Sequence, residues 1–416
     1  MLPPTAPATP PESRRPLLAV LLATFFVRFG FGLTLAVFAS YIIGRSSGLA
    51  GSDVGVAGLI SAMAPVGEFS TVLISGAIAD RYGRWPVLFA GMATAAVLFS
   101  IAATTRDRYA LGAINLAFGV ASGAILAASL AVVGDRADES HRGYEMGRFD
   151  AVNLFGWVGG FAVGFGLLGV LPNGRLDLVF AGGAVALAAG LGGAAWLRRG
   201  AATYHGTQAY DFGNVLRNVF RRSVLLVTLP WLVIYMLIGT ALVFLATAAE
   251  GIGISTTYLA LAIGGGGAIL VVTQPYYGGL ADRFGRNRFL TIGAGGFVGA
   301  MVFASLLLAY GVTDPLLAGL GVSVVLALAY GPAALAALTD LTLEMSRATT
   351  MAIYSLTISL GMLVGLIAST SLYSRYGNPG IYVFFGLVSA GLIGLTVARL
   401  RENVAVGSVS PTTPAR

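Results

Sequence analysis

The stretch GAIADRYGRWPVL from Gly76 to Leu88 recurs almost letter for letter as GGLADRFGRNRFL from Gly278 to Leu290. Each copy follows a long apolar segment and places Asp, Arg and Gly at the same spacing. The two Asp residues lie about 202 positions apart, close to half of the 416-residue chain. Two copies at this spacing, each between hydrophobic segments, indicate a duplicated membrane protein whose halves carry a short charged loop on the same side.

Composition separates this chain from soluble domains, whose surfaces need far more charge. Hydrophobic residues make up 56% of the chain and charged residues 10%, and the mean hydropathy is +0.84. A helix needs about 20 apolar residues to cross a bilayer core of roughly 30 Å, and the sequence supplies about twelve such stretches. The predicted fold class is therefore an all-α membrane protein with twelve transmembrane helices in two pseudo-symmetric six-helix bundles.

Polar breaks divide the chain into five predicted parts. These are a disordered cytoplasmic tail at 1–15, a first bundle at 16–197, a cytoplasmic linker at 198–222, a second bundle at 223–400 and a cytoplasmic tail at 401–416. Within the linker, DFGNVLRNVF (Asp211–Phe220) has the spacing of an amphipathic helix on the membrane surface. Predicted spans lie at about 16–43, 54–79, 86–103, 109–133, 144–171, 176–197, 223–249, 256–281, 289–310, 315–339, 348–372 and 379–399.

The net charge of +7 is explained by membrane orientation. All basic residues are arginines, about 19 of them on one side of the predicted topology and about 5 on the other. By the positive-inside rule, both termini and both charged loops are cytoplasmic. We therefore expect a multi-pass protein of a prokaryotic cytoplasmic membrane that contacts lipids, and no nucleic-acid partner.

Residue content alone argues against several chemistries, so we expect no enzyme activity, no cofactor and no metal. The chain has no cysteine, and its two histidines, His141 and His205, fall in predicted loops. A membrane enzyme would need His, Cys or carboxylate groups clustered near a membrane face. No nucleotide-binding loop with a lysine is present, which argues against ATP hydrolysis.

The repeated stretch resembles the signature loop of the major facilitator superfamily, G-x-L-A-D-R-x-G-R, which joins the second and third helices and recurs between the eighth and ninth. The resemblance covers nearly the whole chain and implies a monomeric transporter. It also implies a conformational latch that ties the halves together on the cytoplasmic side in the outward-open state. The latch residues are Gly76, Asp80, Arg81, Gly83 and Arg84, and in the second copy Gly278, Asp282, Arg283, Gly285 and Arg286. The alternative is a turn and topology anchor whose arginines meet carboxylates, helix C-terminal carbonyls or lipid phosphates.

The duplication extends beyond the loops. Asp135, Arg142, Met146, Gly156 and Gly160 are matched by Asp340, Arg347, Met351, Gly361 and Gly365 at an offset of about 205. Repeated halves of a membrane protein usually flank a midplane site that opens alternately to either side.

Two charged residues, Arg28 and Glu68, are predicted to lie deep in the membrane at matching heights on the first two helices. Both are roughly 16 to 18 Å from the cytoplasmic end at 1.5 Å per residue. Such charges face the interior and mark functional paths by default. Ser61, Glu68 and Ser75 recur every seventh residue, which predicts a cavity wall. We interpret Glu68 as a proton carrier and Arg28 as its partner or as an anion contact; a static ion pair is the alternative.

Neutral polar and aromatic residues form a second group of candidates. Asp150, Asn153 and Trp157 share a face of the fifth helix, and Asp150 is either a secondary proton site or the partner of an arginine such as Arg148. Asn115, Ser122 and Ser129 form a polar seam on the fourth helix that also fits interhelical packing. The substrate-cavity candidates are Asn115, Asn153 and Trp157 in the first half and Trp231, Tyr235, Gln274, Tyr354 and Thr357 in the second, with Tyr276 and Tyr277 nearby. Membrane-interface anchoring is the alternative role of the second-half group.

Two departures separate this chain from proton-coupled drug antiporters of the superfamily. Asn115 stands where those proteins carry an arginine in the fourth helix, and GWVGGFAVG in the fifth helix lacks their proline. Arg28 with Glu68 offers another means of coupling. We expect a secondary active transporter that exports an amphipathic or hydrophobic small molecule against protons. Uptake of a small organic anion and a transport-inactive sensor are the alternatives.

Overall fold

The computed structural model describes residues 11–45, 53–105, 107–136, 142–171, 175, 177–198, 217, 220–251, 255–341 and 347–402. These residues form helices joined by short turns, and no strand occurs among them. Long apolar segments form helices because a helix satisfies all its backbone hydrogen bonds internally, as the bilayer core requires. Most of the predicted amphipathic helix at Asp211–Phe220 lies outside the described residues.

Six helices make up the first half. They are α1 (Pro11–Arg45), α2 (Asp53–Tyr82), α3 (Arg84–Thr104), α4 (Arg108–Arg136), α5 (Arg142–Val170) and α6 (Asp177–Arg198). The first helix begins at Pro11, five residues earlier than predicted from the polar tail. Between α2 and α3 the chain reverses at Gly83, whose φ of 93° is a left-handed conformation that glycine adopts without strain.

Seven helical segments make up the described part of the second half. They are α7 (Arg222–Gly251), α8 (Thr256–Phe284), α9 (Arg286–Tyr310), α10 (Asp314–Ala327), α11 (Tyr330–Leu341), α12 (Arg347–Tyr376) and α13 (Asn378–Arg401). Gly285, with φ of 97°, makes the turn equivalent to Gly83. The end of the molecule that contains these two turns is called here the signature-loop face, and the other end the opposite face.

The predicted span at 315–339 contains a break, because its helix stops at Ala327 and resumes at Tyr330. Pro332 has no N–H to donate to the carbonyl of Leu328, and its ring crowds that carbonyl. On the other side of the break, the Tyr277 hydroxyl donates to the carbonyl of Val325 at 2.9 Å. The segments α10 and α11 still form one apolar crossing, from Asp314 to Leu338.

Ten helical segments of the described chain are long and apolar enough to cross a membrane. Two shorter apolar helices, Val56–Val72 within α2 and Ala260–Gln274 within α8, lie at the two remaining predicted positions. The arrangement is an all-α membrane fold of twelve crossings, as the sequence predicts.

The duplication is visible in the packing of each half. A Cβ on Gly156 of α5 would lie 2.9 Å from Arg28 Cβ, and a Cβ on Gly361 of α12 would lie 2.7 Å from Tyr235 Cβ. Glycine therefore allows α5 to approach α1 closely and α12 to approach α7 in the same way. This correspondence places Tyr235 in the second half where Arg28 stands in the first.

The two halves contact each other mainly through α5 with α8 and through α2 with α12. Along α5 and α8, the Gly267 backbone packs against Val158, and Gly166 packs near Ala260. Between α2 and α12, Gly58 packs against Thr370. All these positions are in the parts of the helices nearer the opposite face, so the halves are closed against each other there.

Candidate functional site

Arg28 and Glu68 form an ion pair inside the first bundle. The Nη2 atom of Arg28 lies 3.7 Å from Oε1 of Glu68, and the two residues are only 6% and 5% exposed. Equal depth on consecutive helices predicted that the side chains would meet, and the two side chains do meet. At 3.7 Å the contact is longer than a direct hydrogen bond, so each partner depends on further polar groups.

Those further groups come from α4 and α5. Arg28 Nε donates to Asn153 Oδ1 at 2.7 Å, and the Ser122 hydroxyl donates to Glu68 Oε2 at 3.1 Å. The guanidinium also lies 5.9 Å from the centre of the Phe31 ring. We call Arg28, Glu68, Ser122 and Asn153 the charged network. It joins four helices of the first half and compensates a buried positive charge with a buried negative one, as burial of charge requires.

Ser61, Glu68 and Ser75, which the sequence predicts to form a cavity wall, face the interior of the protein. All three residues are buried, and α2 makes its most extensive contacts with α4. Small residues on both helices bring the backbones close enough to exclude space between them.

The polar seam of α4 packs against α2. Asn115 Nδ2 donates to the carbonyls of Ile60 and Ser61 at 3.0 and 3.2 Å. Asn115 also lines an enclosed space of about 10 Å³ among phenylalanines of the first bundle, enough for a single water molecule at most. Ser129 is buried too, and its hydroxyl has no hydrogen-bond partner among the described residues.

The candidates on α5 have different surroundings. Asn153 belongs to the charged network, and the Trp157 ring stacks on Phe31 with centroids 5.1 Å apart. The backbone of Asp150 is helical, but its side chain lies outside the described part of the structure. Its predicted role in proton coupling therefore stays a prediction.

In the second half the structure brings together three of the five cavity candidates. Trp231 packs against Tyr354 with ring centroids 4.9 Å apart and stacks on Tyr235 at 6.3 Å. Thr357 lies one turn beyond Tyr354, and its hydroxyl donates to the Ile353 carbonyl. Gln274 is on α8, and its side-chain amide lies beside Gly331 of α11. Trp231, Tyr235 and Tyr354 are called here the aromatic cluster; its member Tyr235 occupies the position equivalent to Arg28.

At the signature-loop face, equivalent arginines bind equivalent carbonyls. Arg84 Nη1 donates to the carbonyl of Ala131 at 2.6 Å, and Arg286 Nη1 donates to that of Ala336 at 2.8 Å. Both contacts join the start of one helix to the last turns of another within the same half. Arg286 also pairs with the carboxylates of Asp282 and Asp340.

The other latch candidates lie around these contacts. Arg81 and Arg283 are exposed and pack over the neighbouring rings of Tyr82 and Phe284. Gly278 is half-buried near Pro332. Gly76 and Asp80 lie within α2, and the Asp80 side chain is outside the described part of the structure.

Sequence reasoning missed Arg399, which is 0% exposed in the last turn of α13. Its Nη2 donates to the Thr291 hydroxyl at 3.0 Å, and its guanidinium interacts with the Tyr330 hydroxyl. Tyr330 is the first residue after the break between α10 and α11. No pattern along the chain indicated this burial, because an arginine at the end of a span normally extends to the membrane surface.

Among the described residues, no group of three His, Asp or Glu side chains is close enough to hold a metal ion. Three of the polar groupings that the described helices gather are the charged network, the aromatic cluster and the surroundings of Arg399. Of these three, the charged network pairs a titratable acid with a base near the predicted midplane.

Comparisons with known proteins agree with this architecture. The sequence profile of the Major Facilitator Superfamily matches residues 20–248 and 231–415. Over 162 residues the chain is 30% identical to the tetracycline resistance protein, class C, of Escherichia coli; this match spans 38% of the chain and 39% of the relative.

Solved transporters share the fold over 93% of the chain. The human organic anion transporter MFSD10 (TETRAN) superposes with a TM-score of 0.64 at 18% identity, over 100% of its own chain. The nucleoside transporter NupG superposes with a TM-score of 0.65 at 12% identity, over 98% of its chain. The two sequence matches together span nearly all of the helical region, and the chain belongs to the Major Facilitator Superfamily.

Proposed function

We propose that this protein is a secondary active transporter that works by alternating access and exports an amphipathic or hydrophobic small molecule in exchange for protons. The observation that supports this most directly is the charged network. A buried acid and a buried base meet there at the junction of four helices, near the predicted midplane. Titratable groups at this depth are costly, which favours a functional role over a merely structural one.

Glu68 is the proposed proton carrier. When ionised, its carboxylate balances the charge of Arg28 and accepts a hydrogen bond from Ser122. When a proton binds to Glu68, the attraction to Arg28 is lost, while Asn153 still holds the guanidinium through Nε. The contact between α1 and α2 then weakens and that between α1 and α5 persists. A proton thus changes which helices α1 is held to, as coupling of protonation to movement requires.

The aromatic cluster is the proposed substrate-recognition surface. Its member Tyr235, a neutral phenol, stands in the position equivalent to Arg28. Rings and neutral polar groups suit an amphipathic or hydrophobic compound. The tetracycline resistance for which the relative is named is consistent with export, and the match covers about two fifths of each chain.

Uptake of a small organic anion is the second candidate, and Arg28 favours it. An anionic substrate would compete with Glu68 for the guanidinium, so that protonation of Glu68 and substrate binding would occur together.

A sensor that binds ligand without moving it is a third candidate. The arginine distribution supports cytoplasmic termini and a cytoplasmic signature-loop face in a prokaryotic membrane.

The signature loops are proposed to act as a latch in the conformation opposite to this one. Here Arg84 and Arg286 bind carbonyls of their own half. These bonds fix the two turns as rigid corners, which would then meet across the signature-loop face when the opposite face opens. We expect the full chain to act as a monomer.

Reconstitution into proteoliposomes with an imposed pH gradient tests the function. Tetracycline serves as the probe for export and benzoate as the probe for anion uptake, with a pH-sensitive dye inside the vesicles. We expect tetracycline movement to dissipate the gradient in the wild type and not in Glu68→Gln, because the amide cannot bind the proton. Benzoate-dependent dissipation would instead select uptake, and ligand binding without any flux would select the sensor.

A matched control removes a carboxylate elsewhere. Glu402 pairs with Arg222 at the end of α13, outside the charged network. We expect Glu402→Gln to retain proton-coupled flux. If Glu68→Gln folds and still couples flux to protons, Glu68 is not the carrier.

A further inference from the structure

The contact between Gly58 of α2 and Thr370 of α12 joins the two halves near the opposite face. A Cβ on Gly58 would lie 2.8 Å from Thr370 Cβ. The two helices can approach this closely because glycine has no side chain. Thr370 is 2% exposed, and its hydroxyl oxygen is the atom of the side chain nearest to Gly58. The contact therefore buries a polar group against backbone.

The Thr370 hydroxyl has no hydrogen-bond partner among the described residues. Threonines in these helices usually donate to the carbonyl four residues earlier. Thr228, Thr240, Thr357 and Thr396 all do so, at 2.7 to 3.0 Å. The Thr370 hydroxyl oxygen instead lies against Gly58, in a space that a side chain at position 58 would fill. A buried hydroxyl without a partner is costly compared with the same group in water.

That cost exists only while the halves are in contact. If the opposite face opens, α2 and α12 separate and the hydroxyl meets water or turns toward its own helix. We propose that Thr370 raises the free energy of the conformation closed at the opposite face, and so prevents the halves from staying shut there. This inference rests on the proposed alternating-access function, since it assumes a second conformation open at that face.

Conformational populations can be measured with spin labels on a background free of native thiols, because the chain has no cysteine. Tyr82→Cys with Phe284→Cys reports the separation of the signature loops, and both positions are exposed. Val170→Cys with Tyr258→Cys, also exposed, reports the opposite face along α5 and α8. Both pairs are measured in the full-length protein without substrate or pH gradient.

The decisive comparison is Thr370→Ala against Thr370→Ser, because both lose the methyl group and only serine keeps the hydroxyl. We expect the ratio of closed to open conformations at the opposite face to be about tenfold higher in the alanine variant, the effect of removing one unpaired buried hydroxyl. Equal ratios, or a higher ratio in the serine variant, would overturn the inference. Thr228→Ala and Thr228→Ser are the matched controls; their ratios should agree, because that hydroxyl is bonded within the second half.

Gly58→Ala should shift the conformational equilibrium in the direction opposite to Thr370→Ala. Its new methyl group meets the Thr370 Cβ itself, so rotation of the hydroxyl cannot make room and the helices must separate. We expect this variant to favour the open conformation, and a shift toward the closed one would contradict the contact described here. A shift in these variants without flux in any of them would refute the proposed function alone, whereas flux without a shift would refute this inference alone.

Discussion

Asn153 is the nearest polar partner of Arg28, and it shows how a neutral residue supports a buried charge. Its side-chain oxygen accepts from Arg28 Nε at 2.7 Å, whereas Arg28 Nη2 and Glu68 Oε1 are 3.7 Å apart. Hydrogen bonds to charged groups stabilise proteins by about 1.5–3 kcal/mol. The amide therefore holds the guanidinium in place more closely than the carboxylate does.

We predict that Asn153→Ala lowers the free energy of unfolding by about 2 kcal/mol, because a buried charge loses its closest acceptor. Thermal unfolding in detergent measures this as a fall in melting temperature of several degrees. Asn153→Asp keeps an acceptor and should lose less stability.

Asn115→Ala provides the comparison for that prediction. Its amide is equally buried but donates only to neutral carbonyls, so a smaller loss is expected. An Asn153→Ala protein as stable as the wild type would show that the bond to Arg28 contributes nothing to folding.

At the scale of single residues, the sequence predicts those contacts that follow from the depth of a residue along its helix. Counting residues from the loops placed Arg28 and Glu68 at one level, and they meet. The contact of Asn153 with Arg28 depends on how α5 packs on α1, which the shared face of Asn153 and Trp157 indicated only in part. Arg399 could not be foreseen, since its burial depends on Thr291 and Tyr330, which come from distant parts of the chain.

At the scale of whole helices, the break between α10 and α11 depends on more than the proline near it. Proline costs about 3 kcal/mol in a helix interior, yet α2 continues through Pro65 and α7 continues through Pro230. The difference at Pro332 is tertiary, because Tyr330 is held by Val227 and Arg399 while Tyr277 binds Val325. Sequence alone shows the prolines and not these bonds, so the twelve crossings were predictable and the break was not.

We predict that Pro332→Ala closes part of this break, since alanine supplies the missing N–H to the Leu328 carbonyl. Hydrogen exchange of the amides from 328 to 333 should slow by at least about tenfold. Pro65→Ala in the continuous helix α2 is the control and should change local exchange much less. Unaltered exchange in Pro332→Ala would assign the break to the tyrosine contacts alone.

At the scale of the whole molecule, the closed opposite face can be locked covalently. A Cβ on Gly166 of α5 would lie 3.7 Å from Ala260 Cβ of α8, within the range of about 3.5–4.5 Å found between Cβ atoms of disulfides. We predict that Gly166→Cys with Ala260→Cys forms a disulfide under mild oxidation. Because α5 and α8 belong to different halves, the bond would hold the halves together and stop transport.

Flux in proteoliposomes before oxidation, after oxidation and after reduction measures this effect. Each single cysteine variant serves as the control and should respond to neither treatment, since the chain has no other thiol. Full flux by an oxidised, cross-linked protein would show that this face need not open during transport.

The difference between the two halves also limits the concentration gradient that the proposed transport could sustain. Glu68 is the one carboxylate in the charged network, and its counterpart half presents Tyr235 where Arg28 stands. In the proposed mechanism, exchange through Glu68 alone would move one proton per molecule transported and would be electrogenic for a neutral cargo. A driving force of 100 mV corresponds to about 2.3 kcal/mol per charge, which sustains a concentration ratio of roughly fiftyfold and no more.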